Sequence, residues 1–292
     1  MDFLKKLFGG SKPAAPWPRP APKKPAKPPL PNEEFEGFKA WFTSHKRPAI
    51  RFVPAPDRAV TEQGSRLGGP VWLAEGEEWP QAANGVPLEF VFQLDCADCT
   101  ALDGYPEDTI LQFFIGRSDL YGCNFDELTT GDFLIHARNR GDTGSLHTPP
   151  PLEVVNGEFG SDYTPFGMSA VRTDGMMMDA QPFTATIDAS IHGVYERIDA
   201  LYKRYDIDPL ESWLDEMCQT RGLSHHTGGY PAFTQADITA TPAGRDFDHV
   251  LLRLTSDDTI MWGDSGDCVF LIRSEDLRKG DFSRIAYSWD CC

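Results

Sequence analysis

Long apolar runs are missing from this sequence of 292 residues. A transmembrane helix needs about 18 or more consecutive apolar residues, and no such stretch occurs. The first ten residues, MDFLKKLFGG, also lack the continuous apolar stretch of about 7–15 residues that a secretory signal contains. We therefore expect a cytoplasmic protein without an integral membrane span.

Nucleotide-binding motifs and a surplus of basic residues are missing as well. The glycine pairs lack the Lys and Ser/Thr of a phosphate-binding loop, and no G-x-G-x-x-G pattern occurs. Acidic residues number 44 against 27 basic residues, which gives a net charge of −17. Because such a surface repels phosphate backbones, we expect no nucleic-acid partner. Because the nucleotide-binding motifs are missing, we also expect no cofactor.

The basic residues that are present concentrate in an N-terminal tail. Residues 1–31 contain seven Lys and Arg against Asp2 alone, and their high proline content favours a disordered, extended chain without a packed core. Phe3, Leu4, Leu7 and Phe8 would share one face of a short helix, so weak peripheral membrane contact through residues 1–10 is an alternative. The domain is predicted to span residues 32–292.

Seven cysteines are spaced irregularly along the chain. An odd number without an export signal argues against a framework of disulfides. Cys96 and Cys99 have the C-x-x-C spacing that zinc and redox sites use. Two interpretations stay open, namely reduced cysteines at the end of a strand, or a metal site in a structural or sensor protein.

Two kinds of hydrophobic pattern predict the fold class. Residues 88–94 and 110–115 are short apolar runs rich in aromatic and β-branched residues, which favours strands. Apolar residues at helical spacing in 32–45, 191–205 and 208–217 predict covering helices. We therefore predict an α+β protein, with an irregular segment over residues 138–190.

An internal repeat divides the predicted domain into two β-rich halves. Gly68-Gly69 and Gly228-Gly229 lie 160 residues apart, and the strand at 90–95 has a counterpart at 250–255 with the same offset. A third segment, 112–120, matches 269–277 at an offset of 157. Three matching blocks in one order indicate a duplication. The predicted halves are approximately 49–137 and 223–292, joined by residues 138–222, and clefts form readily where such halves meet.

At these residues the sequence resembles the YwqG-like family of bacterial domains of unknown function. The resemblance runs from about residue 40 to the C-terminus and rests on the following segments: Arg66-Leu-Gly-Gly-Pro-Val-Trp72, Glu78-Trp79-Pro80, Phe92-Gln93-Leu94, His226-Thr-Gly-Gly-Tyr-Pro231 and Met261-Trp262-Gly263-Asp264-Ser265-Gly266. It implies a mixed α+β fold with internal duplication, and it brings no accepted activity. Cys96 departs from the aliphatic residue expected there, so the cysteine pair belongs to this chain rather than to the family.

One set of candidate residues would serve catalysis. Asp264 and Asp267 follow Trp262 in a glycine-rich turn, and His226 precedes the second glycine pair. A hydrolase would use the two carboxylates with the histidine as general base. The same aspartates equally suit the capping of a turn, and no G-x-S-x-G context marks a nucleophile.

A second set would serve binding. Gln93 and Gln112 lie inside apolar strands, where an amide needs hydrogen-bonding partners. With Gln235, Trp79 and Trp262 they are candidates for a surface facing a ligand or a partner, although the glutamines would equally tie down loops. The favoured hypothesis is a monomeric, non-catalytic binding module for a protein partner, with the hydrolase and the metal-dependent protein as alternatives.

Overall fold

The computed structural model describes residues 27–150, 175–185, 193–219, 225–235 and 237–291. Most of the predicted tail, including the segment proposed for membrane contact, lies outside the described residues. Where the chain enters the described part, Asp206 N donates to Pro28 O at 2.8 Å and Leu30 N donates to Asp206 O at 3.2 Å.

Ten strands form one antiparallel sheet, and two more form a separate pair. The large sheet contains β1 (Arg47–Pro54), β2 (Arg66–Leu67), β4 (Glu89–Asp95), β5 (Thr109–Ile115), β6 (Phe133–Asn139), β8 (Met176–Ala185), β9 (His225–Gly228), β10 (His249–Thr255), β11 (Asp267–Ile272) and β12 (Ala286–Asp290). The pair consists of β3 (Val71–Ala74) and β7 (Gly144–His147).

The strand order places two similar wings on either side of a central pair. β1 and β8 lie in the middle, with β2, β4, β5 and β6 outward on one side and β9, β10, β11 and β12 outward on the other. A register shift occurs between Phe90 and Phe92 in the first wing, and between Val250 and Leu252 in the second. The wings therefore follow the same order outward, while their origin by duplication stays a prediction.

The sheet curls so that both wings share one core. Side chains of β4, β5, β10 and β11 point into it, and the rings of Phe113 and Phe270, one from each wing, lie 5.0 Å apart. Phe270 also stacks on Tyr287 of the edge strand β12 at 4.6 Å. Because strand residues alternate between faces, the intervening residues lie on the outer face of the sheet, where Val71, Leu73 and Phe90 form a smaller cluster.

A helix lies at each of the three positions predicted from the sequence, but helices make up only a small part of the described residues. The described residues contain α1 (Asn32–Ser44), α2 (Val194–Arg204), α3 (Asp208–Gln219) and α4 (Ser274–Lys279). The first three pack mainly on one another, through a cluster that includes Phe42, Leu201 and Leu210. No helix among the described residues is long and apolar enough to cross a bilayer.

The prediction of an α+β class is therefore wrong, and the fold is mostly β. The nearly closed sheet of ten strands dominates the described residues, and the helices form a local cluster instead of a covering layer. Part of the error comes from residues 138–190, for which the sequence predicts an irregular segment. These residues contribute the end of β6, the strand β7 and the central strand β8, because pairing with distant strands outweighs their weak local preference.

Candidate functional site

A polar cleft opens on the outer face of the first wing. It encloses about 310 Å³ of space, counting the solvent at its mouth. Its lining combines an aromatic wall with amide and charged groups: Glu62, Gln63, Trp72, Gln93, Ile110, Gln112, Arg138, Asn139, Arg140 and Asp142. Two of the residues predicted for binding thus lie together in this cleft.

Both glutamines are fully buried and hydrogen bonded at the base of the cleft. Gln112 Nε2 donates to Trp72 O at 3.0 Å and to Gln93 Oε1 at 3.3 Å. Gln93 Nε2 donates to the carbonyl oxygens of Glu62 at 2.9 Å and Gly64 at 3.0 Å. The amides therefore connect the sheet to two neighbouring segments, which is the loop-fixing role considered from the sequence.

Arg138 closes the base of the cleft. Its Nε donates to Gln112 Oε1 at 2.8 Å, one terminal nitrogen lies 2.6 Å from a carboxylate oxygen of Glu77, and its guanidinium lies 4.8 Å from the ring centre of Trp72. Burial raises the pKa of Glu77, but hydrogen bonds from Arg138 and from Ala74 N outweigh it, so the pKa falls below its ordinary value. The Arg138 and Glu77 charges thus neutralise each other.

The remaining charges leave the cleft negative. Arg140 pairs with Asp95, which neutralises the second arginine in the lining. Glu62 and Asp142 are exposed carboxylates at the mouth, and the described residues provide neither with a basic partner. A positively charged group would therefore be attracted to the opening.

A buried arginine shapes one wall. Arg66 is fully buried and donates to the carbonyl oxygens of Thr61 at 3.0 Å, Glu62 at 3.3 Å and Pro70 at 2.7 Å. Burial lowers its pKa to about 10, so the guanidinium keeps its charge at neutral pH. These bonds hold the backbone that also receives the Gln93 amide.

Among the described residues β6 is an edge strand of the sheet, and its outer edge runs beside the cleft. Arg140 N donates to Asp108 O at 2.8 Å, and hydrogen-bonded pairs alternate along antiparallel strands. Backbone groups of Phe133, Ile135 and Ala137 therefore point away from β5, and none of them has a hydrogen-bonding partner among the described residues. The opposite edge, β12, is covered, since Tyr287 N donates to Leu128 O at 2.9 Å.

The glycine-rich turn is closed by hydrogen bonds of its own. Gly266 N donates to Trp262 O at 2.7 Å, and Ser256 Oγ donates to Gly266 O at 2.7 Å. Asp257 Oδ1 accepts from Thr259 N at 2.7 Å, as expected for an aspartate that caps a turn. Asp264 is exposed in this turn.

The candidate catalytic residues are only partly brought together. Asp267 lies on the outer face of β11, where its carboxylate is 2.8 Å from Arg253 Nη2. His226 is opposite Arg253 in the adjacent strand, and its Nε2 lies 3.1 Å from Tyr230 O. Asp264 belongs to the turn that leads into β11. The hydrolase interpretation stays a hypothesis, with Asp267 already engaged in a buried ion pair.

His225, which directly precedes His226, is also held by polar groups. Its Nε2 lies 3.1 Å from Asp257 Oδ2, while Nδ1 accepts a hydrogen bond from Thr255 N at 3.2 Å. A neutral ring that accepts at Nδ1 carries its proton at Nε2, so it has no lone pair available for a general base.

The two cysteines of the C-x-x-C segment lie in the shared core. Cys96 and Cys99 begin and end a short 3₁₀ helix, and both are fully buried. Burial raises the pKa of both thiols, and Asp95 and Asp98 raise that of Cys96 further. A metal ion requires thiolates, whereas this environment favours thiols. Among the described residues, no group of three or more His, Cys, Asp or Glu side chains is arranged to hold a metal ion.

The other residues predicted for binding lie apart from the cleft. Trp79 packs against Phe114 on the outer face and donates to Leu88 O at 2.8 Å. Trp262 is fully buried in the shared core. Gln235 is exposed in the second wing, where its Nε2 donates to Cys291 O at 2.6 Å. They therefore do not form one surface with Gln93 and Gln112.

A second pocket lies at the base of the second wing and is not anticipated by any of the candidate residues. It encloses about 540 Å³, counting open solvent, and is lined by Arg47, Pro231, Thr239, Arg245, Phe247, Asp248, His249, Val250 and Leu271. We call it the arginine pocket. His249 Nε2 is 2.9 Å from the buried hydroxyl of Tyr105.

His249 predicts a pH dependence of stability. Burial lowers its pKa from 6.5 to about 4, with Arg47 and Arg278 adding to the decrease and Asp248 and Asp103 opposing it. The unfolded chain binds this proton more readily, so the stabilisation is complete above pH ~6.5 and is lost as the pH falls towards ~4, by about 3 kcal/mol. Chemical denaturation of the native protein and of His249→Gln across that range should give a smaller loss for the variant. Parallel profiles would contradict the assignment.

The described residues form a mostly β domain with a nearly closed sheet, a polar cleft beside the edge strand β6 and an arginine-lined pocket. The chain matches the family described as Domain of unknown function (DUF1963) over residues 65–291, and it belongs to that family. No curated protein matches the chain.

Proposed function

We propose that this protein is a non-catalytic binding module, which takes an extended, positively charged segment of a protein partner as an added strand along β6. The observation that carries the proposal is the row of outward backbone groups at Phe133, Ile135 and Ala137. An unpaired strand edge is a template for a further strand, and main-chain bonds then supply affinity without chemistry. The cytoplasmic location, the monomeric state and the YwqG-like relationship belong to the same proposal.

Charge supports a basic occupant. An added strand would place alternate side chains on the outer face, next to the cleft with its carboxylates Glu62 and Asp142. The body beyond residue 31 contains 43 acidic and 20 basic residues, which adds a long-range attraction. The chain's own tail is a poor occupant, because its prolines lack the N–H groups that pair with a strand.

Hydrogen exchange on the full chain tests this proposal. The probe is a short peptide of alternating valine and lysine, compared with one of alternating valine and glutamate. We expect the lysine peptide to slow exchange at Ile135 and Ala137, since their N–H groups point to the free edge. Glu62→Gln should weaken that binding by up to about fivefold, as expected for one exposed charge.

A proline at the edge separates strand addition from nonspecific attraction. Ala137→Pro removes an N–H that makes no bond to β5, so the fold should survive while peptide protection is lost. Ala137→Ser keeps the N–H and is the matched control. Equal binding of the two peptides, or undiminished protection in Ala137→Pro, would refute the proposal.

A further inference from the structure

The arginine pocket differs in charge from the rest of the protein. Eight arginines of the described residues form ion pairs with Asp or Glu: Arg58, Arg117, Arg138, Arg140, Arg204, Arg253, Arg273 and Arg278. Arg47 and Arg245 are exposed, line the same pocket and have no carboxylate partner among the described residues. What sets them apart is that two guanidinium groups without a carboxylate share one opening, in a chain with a net charge of −17.

The acidic group in the pocket does not neutralise them. Asp248 Oδ1 accepts from Ser274 N at 2.7 Å, so its carboxylate is engaged at the N-terminus of α4. His249 is neutral at pH 7, because burial keeps its pKa at about 4. The lining therefore keeps a positive balance with donors available to an oxyanion.

The floor of the pocket is apolar. Phe247, Val250 and Leu271 are buried and form part of one hydrophobic cluster. Arg47 is itself held in place, with its guanidinium 4.3 Å from the ring centre of Tyr230. Guanidinium groups at the rim and hydrocarbon below them fit a molecule with an anionic head and an apolar body.

We propose that the arginine pocket binds a small organic anion, whose carboxylate or phosphate group is held by Arg47 and Arg245 and whose apolar part lies on Phe247. This site is separate from the β6 edge, and it does not depend on the function proposed there. Arginine forms paired hydrogen bonds with both carboxylates and phosphates, so the head group is decided by experiment.

Titration calorimetry of the full chain with phenyl phosphate, benzoate and inorganic phosphate at low salt tests the site. We expect at least one aromatic anion to bind more tightly than inorganic phosphate, because only the aromatic anions cover the floor. The tighter of the two identifies the head group. Arg47→Gln and Arg245→Gln should each weaken binding by about tenfold or more, as expected for a lost charge-assisted hydrogen bond.

Arg51→Gln is the matched control. Arg51 is on the same strand as Arg47 and is also exposed, but its Nε donates to Gln181 Oε1 at 3.0 Å outside the pocket. Its replacement should leave binding unchanged. The bound anion should also raise the pKa of His249, which titration of the ring by NMR would show. Absence of binding by both aromatic anions, or an equal loss in Arg51→Gln, would overturn the proposal, as would an unmoved His249.

Discussion

Replacing Asp267 by leucine should lower the free energy of unfolding by about 3–5 kcal/mol. The exposed fractions of the Arg253 and Asp267 side chains are 2% and 9%, and their charged groups are 2.8 Å apart. Leucine would remove the Asp267 carboxylate from beside a guanidinium group that stays buried. Urea denaturation of the native protein and the variant measures the difference.

Two further variants make the prediction specific. Asp264→Ala changes a carboxylate that is exposed in the neighbouring turn, so its effect should stay within about 0.5 kcal/mol. The double variant Arg253→Met with Asp267→Leu removes both charges and should recover most of the stability lost in the single variant. If Asp267→Leu lowered the free energy of unfolding as little as Asp264→Ala, the buried ion pair would not contribute the stability expected here.

The same comparison bears on the hydrolase hypothesis. Loss of an activity in Asp267→Leu would not identify a catalytic group, because the variant is expected to be unstable. Asp264→Asn is the informative change, since an enzyme that uses this carboxylate would lose turnover while its melting temperature hardly changed. His226 variants are less informative, because this side chain is buried and lies 3.1 Å from Tyr230 O.

Strands with continuous apolar runs were predictable from the sequence. The runs at 88–94 and 110–115 correspond to β4 (Glu89–Asp95) and β5 (Thr109–Ile115), with bounds that differ by one residue at each shifted end. Both strands are buried on their two faces, which is why apolar residues do not alternate with exposed polar ones. Gln93 and Gln112 interrupt the two apolar runs at the place where the outer face meets the cleft.

The central strand β8 was not predictable in the same way. Its sequence, MMMDAQPFTA, lacks β-branched residues except for one threonine and contains Pro182. Within β8, Met176 and Met177 pair with β2, so Pro182 lies where β8 has β1 as its single neighbour among the described residues. Proline is tolerated on such an edge, and long-range pairing overrides the weak local preference.

Which predicted site residues meet depends on strand order, which a sequence alone does not supply. Alternation within each strand places Gln93 and Gln112 on a different face from the neighbouring apolar residues. Only the pairing of β4 with β5 brings the two glutamines opposite each other. Arg138 was missed, although Leu134, His136 and Arg138 follow one another at a spacing of two in β6. Polar residues that recur at every second position, here His136 and Arg138, are a sequence signal for the outer face of a strand, and this signal could have identified Arg138.

Gln112→Leu should be the most destabilising change in the cleft, at about 3 kcal/mol or more. The amide has three partners, since it donates to Trp72 O and to Gln93 Oε1 and accepts from Arg138 Nε. Leucine fits the apolar strand but satisfies none of them. Each buried partner left without a bond costs about 1–3 kcal/mol, and a charged donor such as Arg138 lies at the upper end.

Gln235→Leu is the matched control, because it makes the same chemical change at an exposed glutamine whose side chain donates one hydrogen bond among the described residues, to Cys291 O at 2.6 Å. It should cost less than about 1 kcal/mol, since water replaces the lost partner. Thermal and urea denaturation of both variants decide the matter. Equal effects would mean that Gln112 contributes through packing alone, whereas a large difference would show that its hydrogen bonds hold the base of the cleft together.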